Sequence, residues 1–299
     1  MIVFRRFRKQ FGSQVAVHDL DLEIRQGEVV ALLGPNGSGK TTSLKAAAGL
    51  IRPSSGDVFV GTPGASSSLA SSRACLSYLP QRVSFPESLT GREAVEFFRA
   101  LRGVARERVD EVLQIAALNG AAERNVGTYS GGMVQRLGLA VALLPAAPVL
   151  VLDEPTAALD PDGLSTFYAV VERHTQEGRT VLFSSHQLGD VERLADRFAV
   201  LVEGRLVAVL TQREIHEQLS AAGSMRLRLP SCAEEVMRKV RAHSPDASWT
   251  GEELVVPGPP AIRPVVIDSI RAAGVEIRGL TSEEGRLDNW YRDVVRTRS

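Results

Sequence analysis

Eight consecutive residues, Gly34-Pro35-Asn36-Gly37-Ser38-Gly39-Lys40-Thr41, fit the phosphate-binding pattern G-x-x-x-x-G-K-[ST]. The three glycines let the backbone turn its N–H groups around a phosphate with no Cβ in the way. The Lys40 ammonium can pair with the β- and γ-phosphates of a nucleotide, and the Thr41 hydroxyl can ligate Mg²⁺. With Thr42 in the turn that follows, the pattern predicts a nucleoside triphosphate site.

The segments on either side of this loop suit that chemistry. Val29–Leu33 reads as a buried strand that enters the loop, and residues 41–50 read as a helix that leaves it. The N-terminal end of such a helix carries a positive partial charge that favours an anion. This strand–loop–helix order argues against a chance glycine-rich turn.

A second chemical element is Val149-Leu150-Val151-Leu152-Asp153-Glu154, an apolar run that ends in two carboxylates. Ligands of parallel sheets bind at the carboxyl ends of the strands, where this run would deliver its acidic pair. Asp153 suits Mg²⁺, directly or through water, and Glu154 could accept a proton from an attacking water. Alone, the pair is as consistent with a structural role; after a phosphate loop, it predicts hydrolysis.

The third element is Tyr129-Ser130-Gly131-Gly132-Met133-Val134-Gln135-Arg136. Ser130 can cap a helix that starts at Gly131, which leaves N–H groups and a hydroxyl at a positive helix end. In isolation an ordinary helix cap is the more frequent explanation. In a chain that already has a phosphate loop, the segment is a candidate for a second anion-binding surface.

These residues resemble the signature sequence of ABC-type ATPases, usually written LSGGQ. Gln81, Asp160 and His186 stand at the remaining motifs of that family in the same order, and Phe11 stands where the family places an aromatic ring against adenine. Alone, His186 would more often be a core histidine. The resemblance covers about residues 1–215.

The resemblance implies an ATP and Mg²⁺ site that two subunits share. Gln81 would contact Mg²⁺ or the nucleophilic water and sense a partner permease, and His186 would hydrogen-bond the γ-phosphate. Asp160 would meet the opposite subunit, and Ser130–Gly132 would complete the site of the partner's ATP. The implied catalytic residues are Glu154, His186 and Gln81, and the implied metal-side residues are Thr41, Gln81 and Asp153.

The implied function is that of an ATP-binding and ATP-hydrolysing subunit of an ABC transporter. A homodimer or heterodimer would close on two nucleotides and drive translocation, expected to be export, by a separate integral membrane permease. The chain would be cytoplasmic, peripheral on the membrane face through that permease, with no nucleic acid bound. Met133 in place of the usual Gln is familiar among ATPases of ABC-2-type exporters, whereas Tyr129 replaces the usual Leu.

Two other functions stay open: a non-transport ABC ATPase acting on DNA or ribosomes, and a regulator that binds ATP without turnover. The first class usually has tandem cassettes, coiled-coil insertions or basic linkers. This chain has one cassette and 35 basic against 35 acidic residues, so it lacks the charge excess that phosphate neutralisation uses. Regulators that only bind often lose the carboxylate that Glu154 supplies. A transport ATPase is therefore favoured.

Within the family, residues 83–103, 128–140 and 287–295 look similar to the copper-processing ATPase of nitrous oxide reductase maturation. The sequence has no Cys/His cluster suited to copper. Its two cysteines, Cys75 and Cys232, lie far apart and are expected to be reduced. Cargo selection would belong to the permease.

The length of 299 residues allows one large domain and a small one. The uncharged residues 137–152 are too few for a membrane span of about 20 residues and contain Pro145 and Pro148, so they read as a helix end, a turn and a strand. Residues 1–10 lack the apolar core of a signal peptide.

The apolar runs predict an α/β fold, and the resemblance implies an ABC-type P-loop NTPase over residues 1–219. Val29–Leu33, Val149–Leu152 and Val181–Phe183 would form its parallel core. Residues 2–7 and 15–24 would form an antiparallel β subdomain, and about residues 90–127 an α-helical lobe. Residues 65–72 read as a serine-rich loop.

Residues 220–299 are predicted to form a small α+β accessory domain, regulatory or dimer-forming. A strand at 225–229, a helix at 233–242 and a strand pair within 248–256 are followed by a helix at 264–273 and a strand at 275–280. This βαββαβ order indicates a ferredoxin-like fold. A last amphipathic helix is expected at about residues 286–296.

Overall fold

A computed structural model describes residues 1–61, 64–185, 188–221, 223–230, 234–283 and 290. The chain divides into two compact units, Met1–Val209 and a second that starts at Leu210. The boundary precedes the predicted one at residue 219, because the helix Gln212–Ala221 clusters with the second unit. None of the helices in the described ranges combines the length and hydrophobicity of a bilayer span.

The strands of the first unit are β1 (Ile2–Phe11), β2 (Gln14–Ile24), β3 (Val29–Leu33), β4 (Ser55–Val60), β5 (Leu76–Leu79), β6 (Val149–Leu152), β7 (Thr180–Ser185), β8 (Arg197–Val202) and β9 (Arg205–Thr211), the last of which crosses the unit boundary. The helices are α1 (Lys40–Ala47), α2 (Ala70–Ala74), α3 (Gly91–Arg102), α4 (Arg108–Ile115), α5 (Gly131–Leu143), α6 (Pro161–Gln176) and α7 (Leu188–Leu194). Short 3-10 turns span Asn119–Ala121 and Val126–Thr128.

The larger sheet has the order β5-β6-β7-β3-β8-β9, and the pairs β5–β6, β6–β7, β7–β3 and β3–β8 are parallel. Strands β3, β6 and β7 are buried along their whole length, and this burial explains the fully apolar sequences of β3 and β6. Because the strands are parallel, the segments that follow β3, β5, β6 and β7 emerge at one edge of the sheet. The predicted α/β core is confirmed.

The smaller sheet of the first unit is antiparallel, with the order β2-β1-β4. A core of buried side chains draws on both sheets and on α1, including Phe4, Leu20, Leu32 and Leu44. Strand β1 runs past its predicted end at Phe7, and its register with β2 shifts after Phe4 and again after Phe7. Those irregularities interrupt the in–out alternation that sequence reasoning depends on.

The helical lobe begins at a capping box, in which Thr90 and Glu93 satisfy each other's backbone N–H groups at the start of α3. Helices α3, α4 and α5 pack on one another. The predicted helical lobe therefore forms, and α5 belongs to the same packed group. The last three residues of the predicted serine-rich loop, 70–72, form the start of helix α2.

The second unit contains α8 (Gln212–Ala221), β10 (Ser224–Arg228), α9 (Glu234–Arg241), β11 (Ser248–Thr250), β12 (Glu253–Pro257), α10 (Ile262–Ala272) and β13 (Gly279–Glu283). Its sheet has the order β11-β12-β10-β13 with antiparallel neighbours. The expected β–α–β–β–α–β order after α8 is observed, but the last strand was wrongly placed at 275–280. Val275 and Ile277 pack on the core of this unit ahead of the strand. Cys232 and all of the predicted helix at 286–296 except residue 290 lie outside the described residues.

Candidate nucleotide-binding and hydrolysis site

The loop between β3 and α1 requires glycine for both conformation and space. Gly39 has a φ of 98°, in the left-handed region, and a Cβ there would lie 2.7 Å from the carbonyl oxygen of Ala16 in β2. Helix α1 starts directly after it, at Lys40. The first N–H groups of a helix lack intrahelical partners, so this end of α1 suits an anion such as a phosphate.

Lys40 is buried at the base of the loop. Its Nζ donates to the carbonyl oxygens of Gly34, over 2.7 Å, and Pro35, over 3.2 Å. Burial lowers the pKa of Lys40, and the nearby carboxylates of Glu154 and Asp153 act in the opposite direction. The ammonium group is thus held within the loop, close to the acidic pair.

Asp153 accepts hydrogen bonds from three hydroxyl groups on three different elements. Its Oδ1 accepts from Thr41 Oγ1 over 3.1 Å and from Ser184 Oγ over 2.8 Å, and its Oδ2 accepts from the Tyr78 hydroxyl over 3.4 Å. Burial and the Asp153 charge raise the pKa of Tyr78, so that this hydroxyl stays a donor. The end of β6 is therefore fixed against the first turn of α1.

Glu154 is buried and has a φ of 47°, in the left-handed region that non-glycine residues rarely adopt. Its backbone N–H donates to Ser184 Oγ over 2.8 Å. Its Oε2 accepts from Gln81 Nε2 over 2.8 Å, although the two residues lie 73 positions apart. The structure thus joins the segment after β5 to the acidic pair after β6.

The sequence motifs do not predict the roles of Ser184 and Tyr78, which precede His186 and Gln81 by two and three positions. Ser184 directly follows the apolar run Val181–Phe183 and is completely buried near the end of β7. A hydroxyl residue next to a buried strand was the signal that the sequence offered. A hydroxyl in a strand that is buried on both faces needs a partner. The parallel pairing of β6 with β7 places the acidic pair beside it.

A cleft of about 480 Å³ opens over the loop. The side chain of Phe11 is 51% exposed at this cleft, and Lys9 Nζ lies 4.9 Å from the centre of its ring. The residues that line the cleft are Phe11, Gln14, Ala16, Asn36, Gly37, Ser38, Gly39, Lys40, Thr41, Thr42, Gln81 and Glu154. The structure therefore brings most of the predicted nucleotide-site residues around one cavity.

The signature residues lie elsewhere in the chain's own structure. Ser130 is the N-cap of α5 and accepts from the Met133 N–H over 3.2 Å. A Cβ on Gly132 would lie 3.0 Å from the Ala158 carbonyl oxygen, so this turn lies beside the segment that leads to Asp160. Asp160 caps α6 by accepting from the Gly163 N–H over 2.8 Å.

Both capping residues are among those that the structure describes. Neither Ser130 nor Asp160 borders the cleft over the phosphate loop. Ser130 is exposed, as is Asp160. His186 lies outside the described residues.

The donors around Asp153 fit Mg²⁺. The Thr41 hydroxyl and the Asp153 carboxylate are hard oxygen ligands, 3.1 Å apart, of the kind this ion prefers. Within the described part of the chain, no group of three or more His, Cys, Asp or Glu residues could hold a metal ion by itself. Mg²⁺ usually takes one or two protein oxygens and completes its coordination with phosphate and water oxygens, which the Thr41 and Asp153 oxygens fit.

The chain is similar in sequence to known ATP-binding proteins. The family model for "ABC transporter" matches residues 17–157. The linearmycin resistance ATP-binding protein LnrL of Bacillus subtilis is 28% identical over 99% of this chain and 98% of its own. The daunorubicin/doxorubicin resistance ATP-binding protein DrrA of Streptomyces peucetius is 36% identical over 74% of this chain and 68% of its own. The Nod factor export ATP-binding protein I of Burkholderia orbicola is 37% identical over 69% of each chain.

A solved structure extends the likeness to three dimensions. A dimeric ATP-binding cassette in a post-hydrolysis state with ADP and Pi is 25% identical, with a TM-score of 0.65, over 71% of this chain and 99% of that one. This share leaves the ferredoxin-like classification of the second unit a prediction. The resemblance to the copper-processing ATPase also stays a prediction, since the names of these relatives refer to resistance and export.

Proposed function

The chain belongs to the ABC transporter family of ATPases, and we propose that it is the ATP-hydrolysing subunit of an exporter with an ABC-2-type permease. ATPases of this family act as dimeric cassettes with a membrane permease. Export is supported by relatives that are named for drug resistance and Nod factor export. The observation that carries the proposal is the convergence of Lys40, Thr41, Asp153, Glu154 and Gln81 around the phosphate loop.

In the proposed reaction, Glu154 is the general base. Its carboxylate accepts from Gln81 at the cleft and would take a proton from the water that attacks the γ-phosphorus. The new P–O bond forms as the bond to the β-phosphate oxygen breaks, which yields ADP and phosphate. Lys40 and the N–H groups at the start of α1 would hold the phosphates in place.

Thr41 and Asp153, with Gln81 near them, would hold the Mg²⁺ ion of the nucleotide. When bound, Mg²⁺ would neutralise the negative charge that develops on the phosphates. The hydroxyl groups around Asp153 orient its carboxylate for this contact. The proposed contact between His186 and the γ-phosphate completes the set.

Two copies of the chain, or this chain and a related one, would close head to tail over two nucleotides. The support is the place of Ser130–Gly132, a positively polarised helix end that does not border the chain's own cleft and whose Ser130 and Gly131 are exposed. In a head-to-tail pair this end faces the partner's γ-phosphate. Asp160 would lie at the same interface.

A groove of about 310 Å³ beside the Gln81 segment is the proposed permease contact. Phe85 and Phe98 line it with ring centres 6.0 Å apart, and Val83 and Val141 add apolar surface. On α3, next to this groove, Phe97 is 56% exposed and Leu101 is 68% exposed. Adjacent exposed apolar side chains favour a protein partner.

Copurification from native membranes tests this function. The tagged full chain should bring down an integral membrane protein, which mass spectrometry would identify and whose sequence should have an exporter permease's multi-helix hydropathy profile. Phe97→Ser and Leu101→Ser should lose that protein while they still bind ATP. Leu69→Ser is the matched control, since Leu69 is also 50% exposed but is the N-cap of α2 and belongs neither to α3 nor to the groove lining.

Recovery of ribosomal subunits or DNA in place of a membrane protein would contradict the proposed transport function. Equal loss of the membrane protein with Leu69→Ser would leave the family assignment intact but remove the proposed docking surface.

A further inference from the structure

Tyr129 occupies the first position of the signature segment, where the family's usual residue is Leu. It is an extended residue between the 3-10 turn Val126–Thr128 and Ser130, the N-cap of α5. Its hydroxyl donates to the Ala121 carbonyl oxygen over 2.7 Å. A leucine side chain has no such donor, so this chain adds an anchor next to the phosphate-facing helix end.

Gly91, the first residue of α3, leaves room for the Tyr129 ring. A Cβ at Gly91 would overlap the Tyr129 hydroxyl and lie 3.1 Å from Cζ of the ring. Gly91 does not have a positive φ, so its backbone conformation does not demand glycine. The Tyr129 side chain therefore occupies the space that a side chain at this position would need.

Backbone hydrogen bonds tie the same region together. The N–H groups of Gly91 and Arg92 donate to the carbonyl oxygens of Arg124, over 3.2 Å, and Ala122, over 2.9 Å. The Arg92 guanidinium also bonds Glu123 over 2.6 Å. We call Gly91, Arg92, residues 121–124 and Tyr129 the lobe junction.

We propose that Tyr129 is a positioning residue that fixes the start of α5 against α3, so that the helical lobe and the Ser130–Gly132 turn move as one body. This inference rests on the proposed function, in which that turn closes on the nucleotide of the partner subunit. Groups that bind a transition state must be held to within about 0.5 Å, and a tyrosine ring is a rigid support for them. Because α3 also carries Phe97 and Leu101, the lobe junction connects the proposed permease surface with the partner's nucleotide.

The test uses the full chain in a Glu154→Gln background, where ATP-bound dimers should accumulate. Two quantities are measured: ATP affinity at protein concentrations where the chain is monomeric, and the protein concentration at the midpoint of ATP-dependent dimerisation. Tyr129→Phe should leave ATP affinity unchanged and raise the dimerisation midpoint about fivefold, the effect of one lost hydrogen bond. A purely structural role would lower the melting temperature without this selective change.

A second variant adds a methyl group at Gly91, where the Tyr129 side chain leaves no room for it. Gly91→Ala should raise the dimerisation midpoint further than Tyr129→Phe does. The double variant Gly91→Ala/Tyr129→Leu should recover part of that loss, because leucine removes the Cζ and hydroxyl that the new Cβ meets. Tyr168→Phe, on α6, is the matched removal of a hydroxyl outside the lobe junction and should leave the midpoint unchanged.

Unchanged midpoints for both Tyr129→Phe and Gly91→Ala would overturn the role of Tyr129. So would a double variant Gly91→Ala/Tyr129→Leu whose dimerisation midpoint is no lower than that of Gly91→Ala alone. If the Glu154→Gln parent itself does not dimerise with ATP, the proposed head-to-tail closure is wrong, and the inference falls with it. That result is distinguishable from a failure at Tyr129 alone.

Discussion

Ser184 Oγ lies 2.8 Å from Asp153 Oδ1, and it also accepts the backbone N–H of Glu154 over 2.8 Å. One buried hydroxyl on β7 therefore holds both carboxylate residues that follow β6. The left-handed backbone of Glu154 costs on the order of 1 kcal/mol or more in a non-glycine residue. The hydrogen bond from its N–H to Ser184 offsets part of that cost and fixes where the Glu154 side chain starts.

Ser184→Ala should lower ATP turnover about tenfold and raise the Mg²⁺ concentration needed for half-maximal activity, because groups that orient metal ligands have effects of this size. Ser184→Thr, which keeps the hydroxyl, should retain most of the activity. Steady-state ATPase assays across a Mg²⁺ titration provide the measurement. Ser43→Ala is the control, since the buried Ser43 hydroxyl has no hydrogen-bond partner among the described residues. Equal activity of Ser184→Ala and Ser43→Ala would remove Ser184 from the positioning set.

Glu154→Gln should bind ATP as the wild type does but turn it over at least about a hundredfold more slowly, because an amide cannot take the proton of the attacking water. The ATP-bound dimer should then accumulate in size-exclusion chromatography. Glu107→Gln, at an exposed carboxylate in the helical lobe, should behave as the wild type. Undiminished turnover by Glu154→Gln would show that another group is the base.

The sequence predicts those parts of the fold in which one segment's own pattern decides its structure. Val29–Leu33 and Val149–Leu152 are apolar throughout because parallel strands are buried on both faces, and their carboxyl ends place the loop and the acidic pair at one edge. The contacts of Ser184 and Tyr78 with Asp153 span 31 and 75 positions of the chain and depend on the strand order β5-β6-β7-β3. A single segment carries no signal for that order.

The same reasoning explains the misplaced last strand and the missed anchor at Tyr129. Val275 and Ile277 alternate like a strand, but they pack as loop side chains on the second unit's core. The hydroxyl of Tyr129 reaches the Ala121 carbonyl oxygen because the 3-10 turns bring residues 119–128 back towards α5. Tertiary packing decides both.

Gly39→Ala should weaken ATP binding about tenfold or more, because alanine is strained at a φ of 98° and its Cβ would lie 2.7 Å from the Ala16 carbonyl oxygen. The phosphate loop must shift to relieve that contact. Titration with a fluorescent ATP analogue measures the loss. Gly103→Ala is the matched control, with a φ of 63° but open space around its Cβ, so it should cost stability without changing affinity. Equal ATP affinities of the two variants would contradict this account.

The stability of the fold should fall as the pH drops below about 6.5, because of His174 on α6. Burial, with repulsion from Arg179, lowers the pKa of His174 from 6.5 to about 4. The unfolded chain then binds a proton that the folded chain does not, so unfolding becomes more favourable by about 2 kcal/mol at pH 5, and the loss is complete below pH 4. Chemical denaturation at pH 7 and pH 5 should show a smaller loss for His174→Asn than for the wild type. Equal losses in the two proteins would mean that His174 is protonated equally in the folded and unfolded states.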